Sequence, residues 1–137
     1  MPAVRNIVET AIFVEDPNRA AAFYKRLFDF NTLLETDRLV ALNVAGQNVL
    51  LLFKQGTTEA QVETPGGVIP GHAGSGPNHF AFSINADEIS AWQEHLLANE
   101  VAIESQVNWP GGARSIYFRD PDNNLIELVT PDFWKLE

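Results

Sequence analysis

One strand is written twice in this chain, and that repeat limits the folds it can adopt. Ile7–Val14 opens the sequence and Pro77–Ile84 opens its second half. Laid over each other, they place Glu9 on His79, Ala11 on Ala81, Ile12 on Phe82 and Val14 on Ile84. A third apolar run near the end, Asn124–Val129, carries another carboxylate, Glu127. Two glutamates and one histidine stand on strands that otherwise read as core, which is the pattern of a metal site.

The remaining punctuation repeats as well. After the first strand, Asp16-Pro17 is a helix start, with aspartate as N-cap and proline at the first helical position. Ala20, Phe23, Tyr24, Leu27 and Phe28 then recur at helical spacing as one apolar stripe. Strands are expected around Thr32–Leu34, Leu39–Val44 and Val49–Phe53, with Ala45-Gly46-Gln47-Asn48 turning the chain between the last two. In the second half, a strand over His79–Ile84 precedes Asn85 and Glu88, spaced as in a capping box. Ile89, Trp92 and Leu96 mark the next helix. Val101–Ile103 is read as a short strand, and Ser115–Phe118 with Leu125–Val129 as a hairpin. The order is βαβββ twice. The fold class is therefore α+β: two βαβββ modules in tandem, forming curved mixed sheets around a cavity. The whole chain, residues 1–137, reads as one domain: a module over about 5–54, a linker over about 55–77, a module over about 78–130 and a tail over 131–137. The linker is rich in Gly, Pro and Thr, and Pro65–Pro77 is expected to hold no regular element.

Charge and composition exclude several partner classes. The formal net charge is -9, which disfavours nucleic acid and anionic membranes, since both demand a basic face. No apolar run approaches the ~18 residues of a membrane span. The N-terminus, Met1–Asn6, lacks the layout of a signal peptide, and a cytoplasmic location is expected. There is no cysteine, so thiolate ligands are excluded.

Side chains alternate across a strand, so Glu9, Ala11 and Phe13 share one face, and His79, Ala81 and Ser83 share the equivalent one. Glu127 lies with Leu125 and Val129. A buried carboxylate costs several kcal/mol unless it is paired or coordinated. A divalent cation would remove that cost and the repulsion between Glu9 and Glu127, with His79 adding a neutral nitrogen. Two oxygens and one nitrogen suit Mn, Ni, Fe, Zn or Mg and single out none. Such a site would chelate an oxygen-bearing small molecule directly, with Glu127 or Glu9 as the catalytic proton carrier. Arg114, at the mouth of the Gly111-Gly112 loop, together with Trp109, Tyr117 and His72, are the candidate substrate-binding residues. Phe133 and Trp134 are expected to anchor the tail against the body or a partner subunit.

The two βαβββ modules, Phe13–Pro17 leading to Ala21–Tyr24, Gly76–Phe82, and above all Arg114–Leu128 resemble the vicinal oxygen chelate superfamily. That group includes glyoxalase I, fosfomycin- and bleomycin-resistance proteins and extradiol dioxygenases. The resemblance implies that the first and last strands of the modules supply the metal ligands, at Glu9, His79 and Glu127. A fourth place falls at Leu50 or Leu51, neither of them a ligand. The implied function is a glyoxalase-like, metal-dependent enzyme with isomerase or lyase chemistry. The alternatives are a metal-free binding protein of the bleomycin-resistance kind and an extradiol-type dioxygenase. A homodimer is expected, because each module leaves one sheet face open.

Overall fold

The computed structural model describes residues 1–136, which divide into two compact units, one spanning Met1–Gly76 and one beginning at Pro77. In the first unit, β1 (Glu9–Val14) leads to α1 (Pro17–Phe28), then β2 (Asn31–Thr36), β3 (Leu39–Val44) and β4 (Asn48–Lys54). They form a four-stranded sheet in the order β1-β4-β3-β2, with β1 parallel to β4 and the rest antiparallel. Helix α1 starts where expected. The Asp16 carboxylate accepts from the backbone N–H groups of Asn18 and Arg19 at 3.0 and 3.3 Å. Its stripe of Ala20, Phe23, Tyr24 and Leu27 is buried together with Ile12, Val14, Val40, Leu42, Leu50 and Leu52, one face of the sheet. Ala45 and Gly46, both left-handed, are the central residues of the tight turn between β3 and β4, closed by the Gln47 N–H on the Val44 carbonyl at 3.0 Å.

The connection that follows is more ordered than its composition suggests. Val62–Thr64 (β5) pairs with Gly67–Ile69 (β6) around Pro65-Gly66, which corrects the expectation that Pro65–Pro77 holds no regular element. A two-residue turn lets a three-residue pair form without any hydrophobic pattern to announce it. Beyond it the chain is tied back. His72 N–H bonds to the Thr58 carbonyl at 2.8 Å, and the Thr58 hydroxyl bonds to the His72 carbonyl at 2.6 Å.

The second unit repeats the plan. β7 (His79–Ser83), α2 (Ile89–Ala98), β8 (Ser105–Asn108), β9 (Arg114–Arg119) and β10 (Leu125–Val129) make a sheet in the order β7-β10-β9-β8. Its core is Ile84, Ile89, Leu96, Val101, Ile116, Phe118, Ile126 and Leu128. Two expectations are corrected here. Asn85 does not cap the helix. Its amide bonds to the Glu88 carboxylate at 2.6 Å, and residues 86–88 form a 3-10 turn ahead of α2. Val101–Ile103 is not a strand. Glu100 is left-handed, and the N–H groups of Glu100 and Val101 return to the carbonyls of Leu97 and Leu96, so Val101 closes the helix in a Schellman cap. The strand begins only at Ser105.

The registers make the internal repeat exact. In the first unit, Glu9 lies opposite Val49 and Ala11 opposite Leu51. In the second, His79 lies opposite Leu125 and Ala81 opposite Glu127. Leu51, not Leu50, is thus the counterpart of Glu127.

Candidate functional site

In the second unit several of the candidate side chains lie on the sheet face turned away from the core. Directly paired strand residues share a face. Register therefore places Ala81, Glu127, Tyr117 and Ser105 in one row, Ser83, Val129, Ser115 and Val107 in a second, and His79, Leu125 and Arg119 in a third. His79 and Glu127 meet on that face, with Nε2 at 3.2 Å from Oε1. The histidine is half-exposed, whereas Glu127 is 6% exposed.

The hydrogen bonds on either side decide what this contact is. His79 Nδ1 lies 2.9 Å from the Leu125 carbonyl oxygen. A carbonyl can only accept, so Nδ1 carries a proton, and Nε2 is the nitrogen turned toward Glu127. The other carboxylate oxygen, Oε2, accepts from the Ser115 hydroxyl at 2.6 Å. A nitrogen lone pair and a carboxylate oxygen so close together need positive charge at the contact, either a proton on Nε2 or a cation. The distance fits a cation, since adjacent donors around an ion at about 2.1 Å stand roughly 3 Å apart. Metal-bound histidines also commonly donate their second ring N–H to a backbone carbonyl, as His79 does. Among the described residues, neither unit by itself groups three or more metal-ligating side chains. Glu9 belongs to the first unit, on the exposed start of β1.

Tyr117 faces Glu127 across the β9–β10 pair, its ring 6.3 Å from that of His79. Burial, and then the charge of Glu127, pushes its phenol above the ordinary value, so it keeps its proton. Trp109 reaches the same network, with Nε1 donating to Ser115 Oγ at 2.8 Å. The tail anchors on it. Phe133 stacks over Trp109 with centroids 4.4 Å apart, while Trp134 is exposed. Arg114 lies elsewhere. It pairs with Asn108 on the opposite face of β9, and its Nε donates to the Asn108 side chain at 3.2 Å. The arginine on the His79 face is Arg119, gripped by both oxygens of Glu104 at 2.9 and 3.1 Å. His72 sits in the first unit, exposed on one side and packed edge-on against Phe53 and beside Phe13. Ser115 escapes a reading of the sequence because a serine inside a strand carries no signal there. Only the register shows that it lies one pair along from Tyr117 and Glu127.

The profile of the Glyoxalase/Bleomycin resistance protein/Dioxygenase superfamily matches residues 6–128. The chain is similar to a crystal structure of lactoylglutathione lyase from Agrobacterium tumefaciens, with 31% identity, a TM-score of 0.88, and 98% of this chain and 100% of that one covered. It is 26% identical to metallothiol transferase FosB of Shouchella clausii (strain KSM-K16), over 93% of this chain and 81% of that protein. It is 27% identical to catechol-2,3-dioxygenase of Bacillus subtilis (strain 168), over 80% of this chain and 36% of that protein.

Proposed function

The chain belongs to the Glyoxalase/Bleomycin resistance protein/Dioxygenase superfamily, and on that premise we propose that it is a divalent-metal-dependent enzyme acting on a small oxygenated molecule by isomerase- or lyase-type chemistry. The observation that carries this reading is the facing pair of His79 Nε2 and Glu127 Oε1, 3.2 Å apart with their second polar atoms already occupied. His79 and Glu127 would hold the cation. When bound, that ion supplies a Lewis acid that draws in substrate oxygen and stabilises negative charge as it develops there. The protein's own residues do the rest. Glu127 would take up a proton at Oε1 only once that oxygen is released from the cation, since Oε2 accepts from Ser115. Tyr117 stays protonated and donates to a charged oxygen beside it. Its ring and the Leu125 side chain supply apolar surface for the body of the substrate. The similarity to lactoylglutathione lyase favours the isomerase or lyase class over ring cleavage. We place the working form in the cytoplasm as a homodimer.

Metal analysis tests this reading on protein purified without chelator or a metal-affinity step. The expected result is a stoichiometric divalent ion, lost in His79→Ala and Glu127→Ala. Wild-type protein that carries no ion, and gains no thermal stability from added Mn²⁺, Ni²⁺ or Zn²⁺, would overturn it in favour of a metal-free binding protein.

A further inference from the structure

We infer that Ser115 and Trp109 are positioning residues that hold Glu127 as a one-oxygen ligand. This rests on the metal-site reading above. The donors and acceptors along this network fix where each proton lies. An indole N–H can only donate, so at 2.8 Å from Trp109 Nε1 the Ser115 oxygen must accept. A hydroxyl has one proton, and a carboxylate can only accept, so that proton goes to Glu127 Oε2, 2.6 Å away. Direction is thus forced along the chain from Trp109 to Ser115 to Glu127. Ser115 is 1% exposed, so water does not compete for either bond.

The far end of this chain is fixed as well. The Trp109 N–H of the backbone bonds to the Ala113 carbonyl at 2.8 Å, which closes the loop before β9. Its ring is stacked on Phe133 at 4.4 Å and 29°. Turning the Glu127 carboxylate would break the bond that it accepts from the buried Ser115 hydroxyl. A carboxylate free to rotate can chelate through both oxygens. Here Oε2 stays on Ser115, and only Oε1, beside His79 Nε2, is presented.

The test uses the full chain. Wild type, Ser115→Ala, Ser115→Thr and Trp109→Phe are titrated with Ni²⁺ by calorimetry. The carboxylate stretches of the loaded-minus-free proteins are recorded by infrared difference spectroscopy. A one-oxygen carboxylate shows a wide gap between its two stretching bands, and a two-oxygen carboxylate a narrow one. The expected result is a wide gap in wild type. Ser115→Ala narrows it and weakens Ni²⁺ binding about tenfold or more. Ser115→Thr, which keeps the hydroxyl, restores both. Trp109→Phe, which keeps the stacking ring but not the N–H, moves both in the direction of Ser115→Ala by less. Should Ser115→Ala fail to fold, Trp109→Phe decides alone. An unchanged affinity or an unchanged band gap in the variants overturns the inference while leaving the metal reading intact. Wild-type protein that binds no Ni²⁺ overturns both.

Discussion

Glu127 and Tyr117 show how one buried carboxylate sets the chemistry around it. Glu127 sits buried on the face of the second sheet turned away from its core, and Tyr117 is its register partner. The phenol is raised above its ordinary value, first by burial and then by the neighbouring negative charge. The folded-state value thus exceeds the unfolded one. The stability tied to the protonated phenol is complete below the ordinary phenol range and is lost as pH climbs through the folded-state value. Tyr117→Phe is therefore expected to flatten the alkaline fall in stability, read by denaturant unfolding from neutral to strongly alkaline pH. The same fall in wild type and variant would count against it. At this scale strand parity grouped His79 with Ala81 and Ser83, and Glu127 with Leu125 and Val129, from the chain alone; the registers join the two groups and add Tyr117. It also separates Arg114 from Arg119, but parity does not say which face is which. The loop position that favoured Arg114 turned out to feed the opposite face.

The turn between β9 and β10 explains at the level of elements why the stretch from Asp120 to Asn124 stands out in the sequence. Asp120 accepts from the backbone of Asp122 and Asn124 and from the Asn124 amide, while Asn123 is left-handed. Asn124, fully buried, then accepts from the backbone N–H of Asn78, and Leu125 N–H bonds to the Asn78 carbonyl. The turn thereby fixes the residue that precedes His79. Asn124→Ala is expected to cost about 1–3 kcal/mol, because it leaves buried partners unmatched, with a matching drop in Tm. Metal affinity should fall with it, since the His79 ring loses its alignment to the Leu125 carbonyl. Arg119 adds a second clasp, reaching Glu104 by two bonds and the Asn123 carbonyl by another. The bond from Arg119 holds the Glu104 carboxyl below its usual range. This pair contributes above the ordinary carboxylate range, and its contribution is lost as pH falls through the lowered value. In Arg119→Ala, the Glu104 titration followed by ¹³C NMR should return to the ordinary carboxylate range. The elements that the sequence misplaced share one cause. Val101–Ile103 and the β5–β6 pair are short, and their hydrogen bonds are set by a helix cap and a tight turn rather than by alternation of apolar residues.

Across the molecule, the two units repeat one plan with different contents. Each covers one sheet face with its helix, and this much followed from alternating strands and one helical stripe per half. The other face differs between the units. In the first, β4 offers Leu51 where β10 offers Glu127. The loop beyond β6 lies close against Phe13, so that a side-chain carbon on Gly74 would meet its ring at 2.6 Å. Gly74→Ala is accordingly expected to loosen this loop and speed proteolysis within residues 55–76, with the second unit unaffected in hydrogen exchange. Sheet faces that carry half-exposed apolar residues such as Val49 and Leu51 also favour a dimer, and light scattering should give twice the chain mass. A monomer at micromolar concentration would refute that expectation. The tryptophan that ends the network around Glu127 has one more consequence for the molecule. Indole is too weak an acid to ionise near neutral pH, so the Trp109 end of this network is a dead end for proton traffic. In chemistry of the proposed kind, hydrogen ions would trade places with solvent past His79 and Tyr117, and slow isotope wash-out there would trap label delivered by the substrate.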